Sequence, residues 1–230
     1  WALLVNEKDY AELNQRTFVK ETAISLWEGL PRVILAGFLF SLACLPSLLL
    51  IFFGFLVPGI LIGVFTISPA WSALTAQIAK IIYREPGNVV NFLSAYAQFY
   101  RRSVLFGAML AVPLVAAAIT LPALANPPVA TPVWIGLAAD AAGLFLLSCL
   151  FIYAYPILVL YDANIKTAMR NSFILAARYL SNTLGLIAMA VLLVIIAAEI
   201  NLMLLVIFPA CWLVFVINNC RMVLRLELGD

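Results

Sequence analysis

One acidic residue lies inside an apolar segment long enough to cross a membrane. Asp140 is the one carboxylate inside a predicted span, roughly 10 Å from the end of that helix at about 1.5 Å per residue. An ionisable side chain at such a depth indicates a proton or cation site. Alternatively, Asp140 reaches water at the membrane interface, because no basic residue in another span is available to pair with it.

Three hydroxyl side chains lie in a second apolar segment. Ser68, Ser72 and Ala76 follow one another at four-residue spacing, and Thr75 lies beside them. Small residues at this spacing form a helix face that allows another helix to approach closely. We expect a packing face here. The alternative is a polar transport path that these hydroxyls line together with Asp140.

Other residue types that carry chemistry are missing or scattered. The sequence contains no histidine, which excludes histidine-dependent catalysis and pigment ligation. No GxSxG, Walker or GxGxxG motif is present. Four cysteines are far apart in apolar runs and predict neither a metal site nor a disulfide framework: Cys44, Cys149, Cys211 and Cys220. We therefore expect no enzymatic activity, catalytic residue, metal or cofactor.

Composition places the chain in a membrane. Of its 230 residues, 66% are hydrophobic and 10% are charged, and the mean hydropathy is +1.11. Soluble domains have about half apolar and about a quarter charged residues. The net charge of +2 is small and its basic residues are dispersed, so nucleic-acid binding is not expected.

Hydrophobic segment lengths predict an all-α polytopic fold. A span needs about 20 apolar residues, and breaks at Gly54, Pro58 and Gly59 divide the long run that begins at Val33. Residues 33–230 are predicted to form one transmembrane domain with spans at about 33–53, 58–80, 103–123, 133–160, 183–198 and 202–220. Amphipathic surface helices are predicted at about 88–102 and 162–182. Residues 1–32 form a cytoplasmic arm with a further amphipathic helix that places Trp27 at headgroup depth.

The distribution of basic residues predicts the orientation. With six spans, all 13 lysines and arginines fall on one side of the membrane. The connections on the other side, near Val57, Asn126 and Asn201, are uncharged except for Glu199. Because basic residues flank spans on the cytoplasmic side, we expect an inner-membrane protein with both termini in the cytoplasm.

Five of the basic residues are predicted to line the cytoplasmic interface. Electrostatic anchoring to anionic membrane lipids explains them, at about 1 kcal/mol per basic residue. Docking of another protein subunit is the alternative. The residues are Arg101, Arg102, Lys166, Arg170 and Arg178.

A shift of 78 residues aligns the two units in which a span is followed by a surface helix and another span. The shift places Tyr83 on Tyr161, Ser103 on Ser181 and Gly107 on Gly185. The units cross the membrane in the same direction and so would form a parallel repeat. Either duplication or a shared physical constraint explains the matches.

Two segments carry a family resemblance. Ser68–Ser103 contains Pro-Ala-x-x-Ala, a basic turn with glycine and an aromatic surface helix; Tyr155–Leu193 contains Tyr-Pro, a surface helix with asparagines and a leucine-rich span. In these features the chain resembles the YesL-like family of bacterial integral membrane proteins of unknown function. The resemblance implies a role beside a carbohydrate-uptake system and supplies no catalytic residues.

The absence of a recognisable reaction site, together with extensive packing surface, favours a structural role. We expect a non-catalytic accessory or scaffold subunit of a larger bacterial membrane assembly, with membrane lipids and other membrane subunits as partners. The assembly suggested by the resemblance is a carbohydrate-uptake transporter. The alternative is a small transporter or channel, with a path near Asp140 and the face formed by Ser68, Ser72 and Thr75.

Overall fold

The computed structural model describes residues 18–85, 88–125, 131–200 and 204–228, which form helices joined by short connections. The first part of the predicted arm and the predicted turns at Asn126 and Asn201 lie outside these ranges. A short 3₁₀ helix, Leu121–Ala125, follows the fourth α-helix. The α-helices are α1 (Phe18–Glu28), α2 (Leu30–Phe52), α3 (Leu56–Ile82), α4 (Val89–Thr120), α5 (Thr131–Leu160), α6 (Ile165–Arg178), α7 (Leu180–Ile200) and α8 (Leu204–Leu228).

Within the described ranges, six helices are long and apolar enough to cross a membrane. They are α2, α3, α4, α5, α7 and α8, and the shortest qualifying segment, Val206–Leu224, has 19 residues. At 1.5 Å per residue this segment spans about 28 Å, close to the thickness of a bilayer's hydrocarbon core. The predicted all-α, six-span membrane fold is therefore confirmed.

A tight connection joins α2 to α3. Gly54 adopts a φ of +87°, a left-handed conformation that glycine tolerates because it lacks a Cβ atom. Helix α3 then begins at Leu56, two residues before Pro58. Proline is accepted in the first turn of a helix, where its missing N–H would have no intrahelical partner. The second span thus begins slightly earlier than the proline had indicated.

Helix α4 differs from the arrangement predicted for this region. The sequence predicts a surface helix at 88–102 and a span at 103–123, whereas Val89–Thr120 is one continuous helix of 32 residues. The charges of Arg101 and Arg102 suggest the end of a surface helix, but charged residues do not break helical hydrogen bonding. At 1.5 Å per residue α4 is about 48 Å long, so part of it extends beyond a hydrocarbon core about 30 Å thick.

Two arginines form ion pairs with acidic residues at one end of the bundle. Arg102 contacts the Asp162 carboxylate at 2.6 Å, and Arg84 contacts Glu28 at 3.2 Å. The Arg84–Glu28 pair is largely exposed, and in the Arg102–Asp162 pair the carboxylate is exposed and the arginine is partly covered, so each contributes at most about 1 kcal/mol to stability. We call the end that carries the connections after α3 and α5 the basic end.

Tight packing is concentrated toward the basic end. Long runs of buried residues extend from Ser68 to Ile81 in α3 and from Cys149 to Leu158 in α5, and α8 buries residues between Ala210 and Val223. Toward the opposite end, the same helices and their neighbours expose large apolar side chains, including Phe52, at 83%, and Phe55. Buried side chains are therefore concentrated in one half of the bundle, here called the packed half, whereas exposed apolar side chains are concentrated in the other.

Positions related by the 78-residue shift share one backbone feature. Arg84 and Asp162, the residues after Tyr83 and Tyr161, both have positive φ values, of 59° and 45°. The chain therefore leaves α3 and α5 through similar left-handed turns. The glycines related by the same shift differ: a Cβ atom on Gly107 would lie 2.7 Å from the Ser68 Cβ atom, whereas one on Gly185 would meet nothing within 4 Å.

We expect Gly107→Ala to destabilise the bundle and Gly185→Ala, its matched control, to leave stability unchanged or slightly raised. The methyl group at Gly107 would force α3 and α4 apart, at a cost of roughly 1–3 kcal/mol. At Gly185 only the higher helix propensity of alanine acts, a gain of up to about 1 kcal/mol. Unfolding midpoints in detergent measure both changes. Equal shifts for the two variants would contradict the close approach of α3 and α4.

Candidate functional site

Four hydroxyl groups form a buried network between α3, α4 and α5. Ser68 donates a hydrogen bond to the Ser103 carbonyl oxygen, and Ser103 donates to the Phe99 carbonyl oxygen at 2.8 Å. Because these two serines use their hydrogens in this way, Tyr155 donates to Ser68 at 2.7 Å and Ser72 donates to Ser103 at 2.5 Å. We call Ser68, Ser72, Ser103 and Tyr155 the hydroxyl network.

The network satisfies every hydroxyl hydrogen that it contains. Ser72 and Ser103 have no exposed surface, and Tyr155 is almost fully buried. Thr75, which the sequence grouped with Ser68 and Ser72, donates within its own helix to the Trp71 carbonyl oxygen at 2.8 Å. These groups therefore bond to protein atoms, as hydrocarbon surroundings require, and α3 packs closely against α4 along this face.

A second polar network lies between α5, α7 and α8. Thr183 donates to the Tyr179 carbonyl oxygen, so Tyr153 donates to Thr183 across 3.2 Å. The Asn219 amide contacts the Tyr153 hydroxyl at 3.4 Å, and Asn182 contacts Asn219 at 3.5 Å. The sequence did not predict this network, although the adjacent Asn218 and Asn219 near the end of an apolar segment are a signal for it.

In the described part of the chain, Gln77 is the buried side chain whose polar atoms lack hydrogen-bond partners. It is 1% exposed, and both its amide nitrogen and its amide oxygen lack a hydrogen-bond partner among the described residues. A buried amide without partners costs about 1–3 kcal/mol. Its position in α3 is in the packed half, one helical turn beyond Ala73 toward the basic end.

A cavity of about 520 Å³ adjoins the hydroxyl network. Side chains from α2, α3, α4, α5, α7 and α8 form its wall, which is almost entirely apolar. Ser68 and Tyr155 belong to both the wall and the network, whereas Ser72 and Ser103 lie behind them. Three aromatic rings line the cavity together: the Trp71 ring centre is 5.9 Å from that of Trp212 and 6.5 Å from that of Tyr155.

Asp140 lies away from this cavity. It is partly exposed on α5 and makes no hydrogen bond or ion pair with any described residue. Fifteen residues separate it from Tyr155, a distance of about 22 Å along the helix. The structure therefore brings Ser68 and Ser72 into one network but does not bring Asp140 to it.

The predicted basic surface is exposed in large part. Arg101, Lys166 and Arg170 are exposed, as is Arg178 at the end of α6. Arg102 is partly covered and contacts Asp162. Among the described residues, no group of three acidic, cysteine or histidine side chains lies together in a position to hold a metal ion.

Comparisons with known proteins give no relatives for this chain. No family model, curated protein or solved structure matches it. The resemblance to YesL-like proteins stays a prediction.

We expect Tyr155→Phe to destabilise the bundle by about 1 kcal/mol, because it removes the hydrogen bond donated to Ser68. Hydrogen bonds between membrane helices are worth about 0.6 kcal/mol on average and up to about 1.7 kcal/mol. The control is Ser148→Ala: Ser148 is exposed and donates only to Leu144 in its own helix.

Combining Tyr155→Phe with Ser68→Ala isolates the contact between the two hydroxyls. Unfolding in detergent should give a combined loss smaller than the sum of the single losses, since both changes remove the same bond. Strictly additive losses would contradict a direct Tyr155–Ser68 hydrogen bond.

Proposed function

We propose that the protein is a non-catalytic accessory or scaffold subunit of a larger bacterial membrane assembly. The observation that carries this proposal is that the hydroxyl groups of α3, α4 and α5 form hydrogen bonds with protein atoms. Ser68, Ser72 and Tyr155 bond to one another or to Ser103, and so they hold helices together. A water-filled path would instead need polar groups that face its interior.

Free helix surface supports the same proposal. Only 17% of the most apolar segment of α4 is buried inside the bundle, and the value for α7 is also 17%. Most of each helix is thus available to lipid or to another membrane subunit. A transport path near Asp140 has less support, because no described contact joins Asp140 to Ser68, Ser72 or Thr75.

The basic end is the surface that we assign to partner docking. Lys166 and Arg170 lie four residues apart on α6 and are both exposed, so they project from neighbouring positions on one helix face. Arg101 adds a further exposed positive charge on α4. An acidic surface on a partner subunit would complement this charge. By the resemblance to YesL-like proteins, the partner would belong to a carbohydrate-uptake transporter.

We expect a second membrane protein to co-purify in stoichiometric amount when the tagged chain is extracted from its native membrane in mild detergent. Mass spectrometry identifies what migrates with it. The double variant Lys166→Glu/Arg170→Glu should lower recovery of the partner severalfold, because like charges would then face each other. Glu199→Lys is the control, since it changes an exposed charge distant from α6 in the sequence.

Two results would count against parts of this proposal. A single homogeneous chain with no stoichiometric companion would contradict the accessory role. A companion that is recovered equally with the double variant would contradict docking at the basic end.

The orientation that we propose places the basic end, and with it both termini, on the cytoplasmic side of an inner membrane, because basic residues flank spans on that side.

Lys166→Cys and Glu199→Cys introduce thiols at exposed positions. A membrane-impermeant maleimide added to intact spheroplasts should label Glu199→Cys, and should label Lys166→Cys only after the membrane is permeabilised. The reverse pattern would invert the topology.

A further inference from the structure

The wall of the 520 Å³ cavity offers few hydrogen bonds to an occupant. Ser47 donates to the Gly59 carbonyl oxygen at 2.7 Å, and Ser148 donates to Leu144 at 2.7 Å. The Trp212 indole donates to the Leu186 carbonyl oxygen at 2.9 Å. Ser68 and Tyr155 are satisfied within the hydroxyl network. Among the described residues, only the indole N–H of Trp71 is left as a wall donor without an acceptor.

Two residues of the cavity wall are also exposed on the surface of the bundle. Ser148 and Val191 line the cavity and are also exposed, Val191 at 53%. Val191 lies near the middle of α7, and Ser148 lies in the central part of α5. Surface in the central part of a span faces the hydrocarbon core of a bilayer and not water. We therefore infer that the cavity opens to hydrocarbon between α5 and α7.

The volume of the cavity limits what can occupy it. One turn of an α-helix, about 10 Å across and 5.4 Å high, occupies about 420 Å³, so a partner's helix would place little more than one turn inside. A methylene group is similar in size to a water molecule, which takes up about 30 Å³ in the liquid, so the cavity holds a chain of about 17 carbon atoms. This is the length of a common acyl chain.

We propose that the cavity binds one acyl chain of a phospholipid from the surrounding bilayer. Burial of hydrocarbon against the apolar wall is favourable. An opening in the central part of the bundle would admit a chain directly from the membrane, and the volume of the cavity fits a single chain. The lipid's headgroup stays outside the cavity. This binding site goes beyond the proposed accessory role and does not depend on it.

Fluorescence quenching by brominated lipid tests this proposal, because bromine quenches tryptophan only at close range. Trp71 and Trp212 line the cavity, whereas Trp27 and Trp134 are exposed and away from it. The full chain carrying Trp1→Phe, Trp27→Phe and Trp134→Phe therefore reports on the cavity alone. The delipidated protein in detergent is titrated with phosphatidylcholine brominated in the middle of its acyl chains.

We expect quenching to saturate at about one lipid per chain and to be reversed by unbrominated phosphatidylcholine. Ala190→Phe, which places a ring in the cavity wall, should weaken this saturable binding at least tenfold. Ala188→Phe is the matched control: Ala188 lies two residues away on α7, is exposed and is not part of the wall. The control should retain the saturable binding.

Two outcomes would overturn the proposal. One is quenching that rises in simple proportion to the brominated fraction of the micelle, without saturation. The other is saturable quenching that Ala190→Phe and Ala188→Phe affect equally. If Ala190→Phe does not elute as a folded species, Val191→Phe at the opening replaces it, with the same expected loss.

Discussion

The architecture depends on the rule that a polar hydrogen in a bilayer must find its acceptor inside the protein. Ser68 meets this rule by bonding to α4 while it accepts a bond from Tyr155 on α5. Three helices are thereby connected at one point through groups that hydrocarbon cannot solvate. Gly107 permits the close approach of α3 and α4 that these bonds need.

The same rule explains why the two halves of the bundle differ. Both polar networks lie in the packed half, where the hydroxyl network and the Tyr153–Thr183 contact link neighbouring helices. In the other half, Ser47 links α2 to the Gly59 carbonyl oxygen of α3. Beyond Ser68 and Tyr155 the helices line the 520 Å³ cavity, whose wall is almost entirely apolar. Contacts between apolar surfaces need no particular geometry, unlike hydrogen bonds. The half of the bundle that contains the cavity can therefore contact lipid or another subunit without loss of polar contacts.

Much of the fold could be predicted because span length and charge placement are properties of the sequence itself. The spacing of Ser68 and Ser72 likewise predicted a packing face. Their partners, Ser103 and Tyr155, could not be identified because local spacing does not show which helices become neighbours. The cavity depends on how six helices diverge, and no single segment encodes that. The break expected after Arg102 was placed by charge, whereas helix continuity depends on backbone hydrogen bonds.

Ser68 and Tyr155 bond to each other at the edge of the packed half, and an apolar cavity lies beyond them. An experimental structure in lipid nanodiscs, with a bound antibody fragment to aid alignment, tests it most directly. We expect direct contact between the Ser68 and Tyr155 hydroxyls and elongated hydrocarbon density in the cavity. A continuous file of ordered water from Asp140 past Ser68 and Ser72 to the basic end would contradict it.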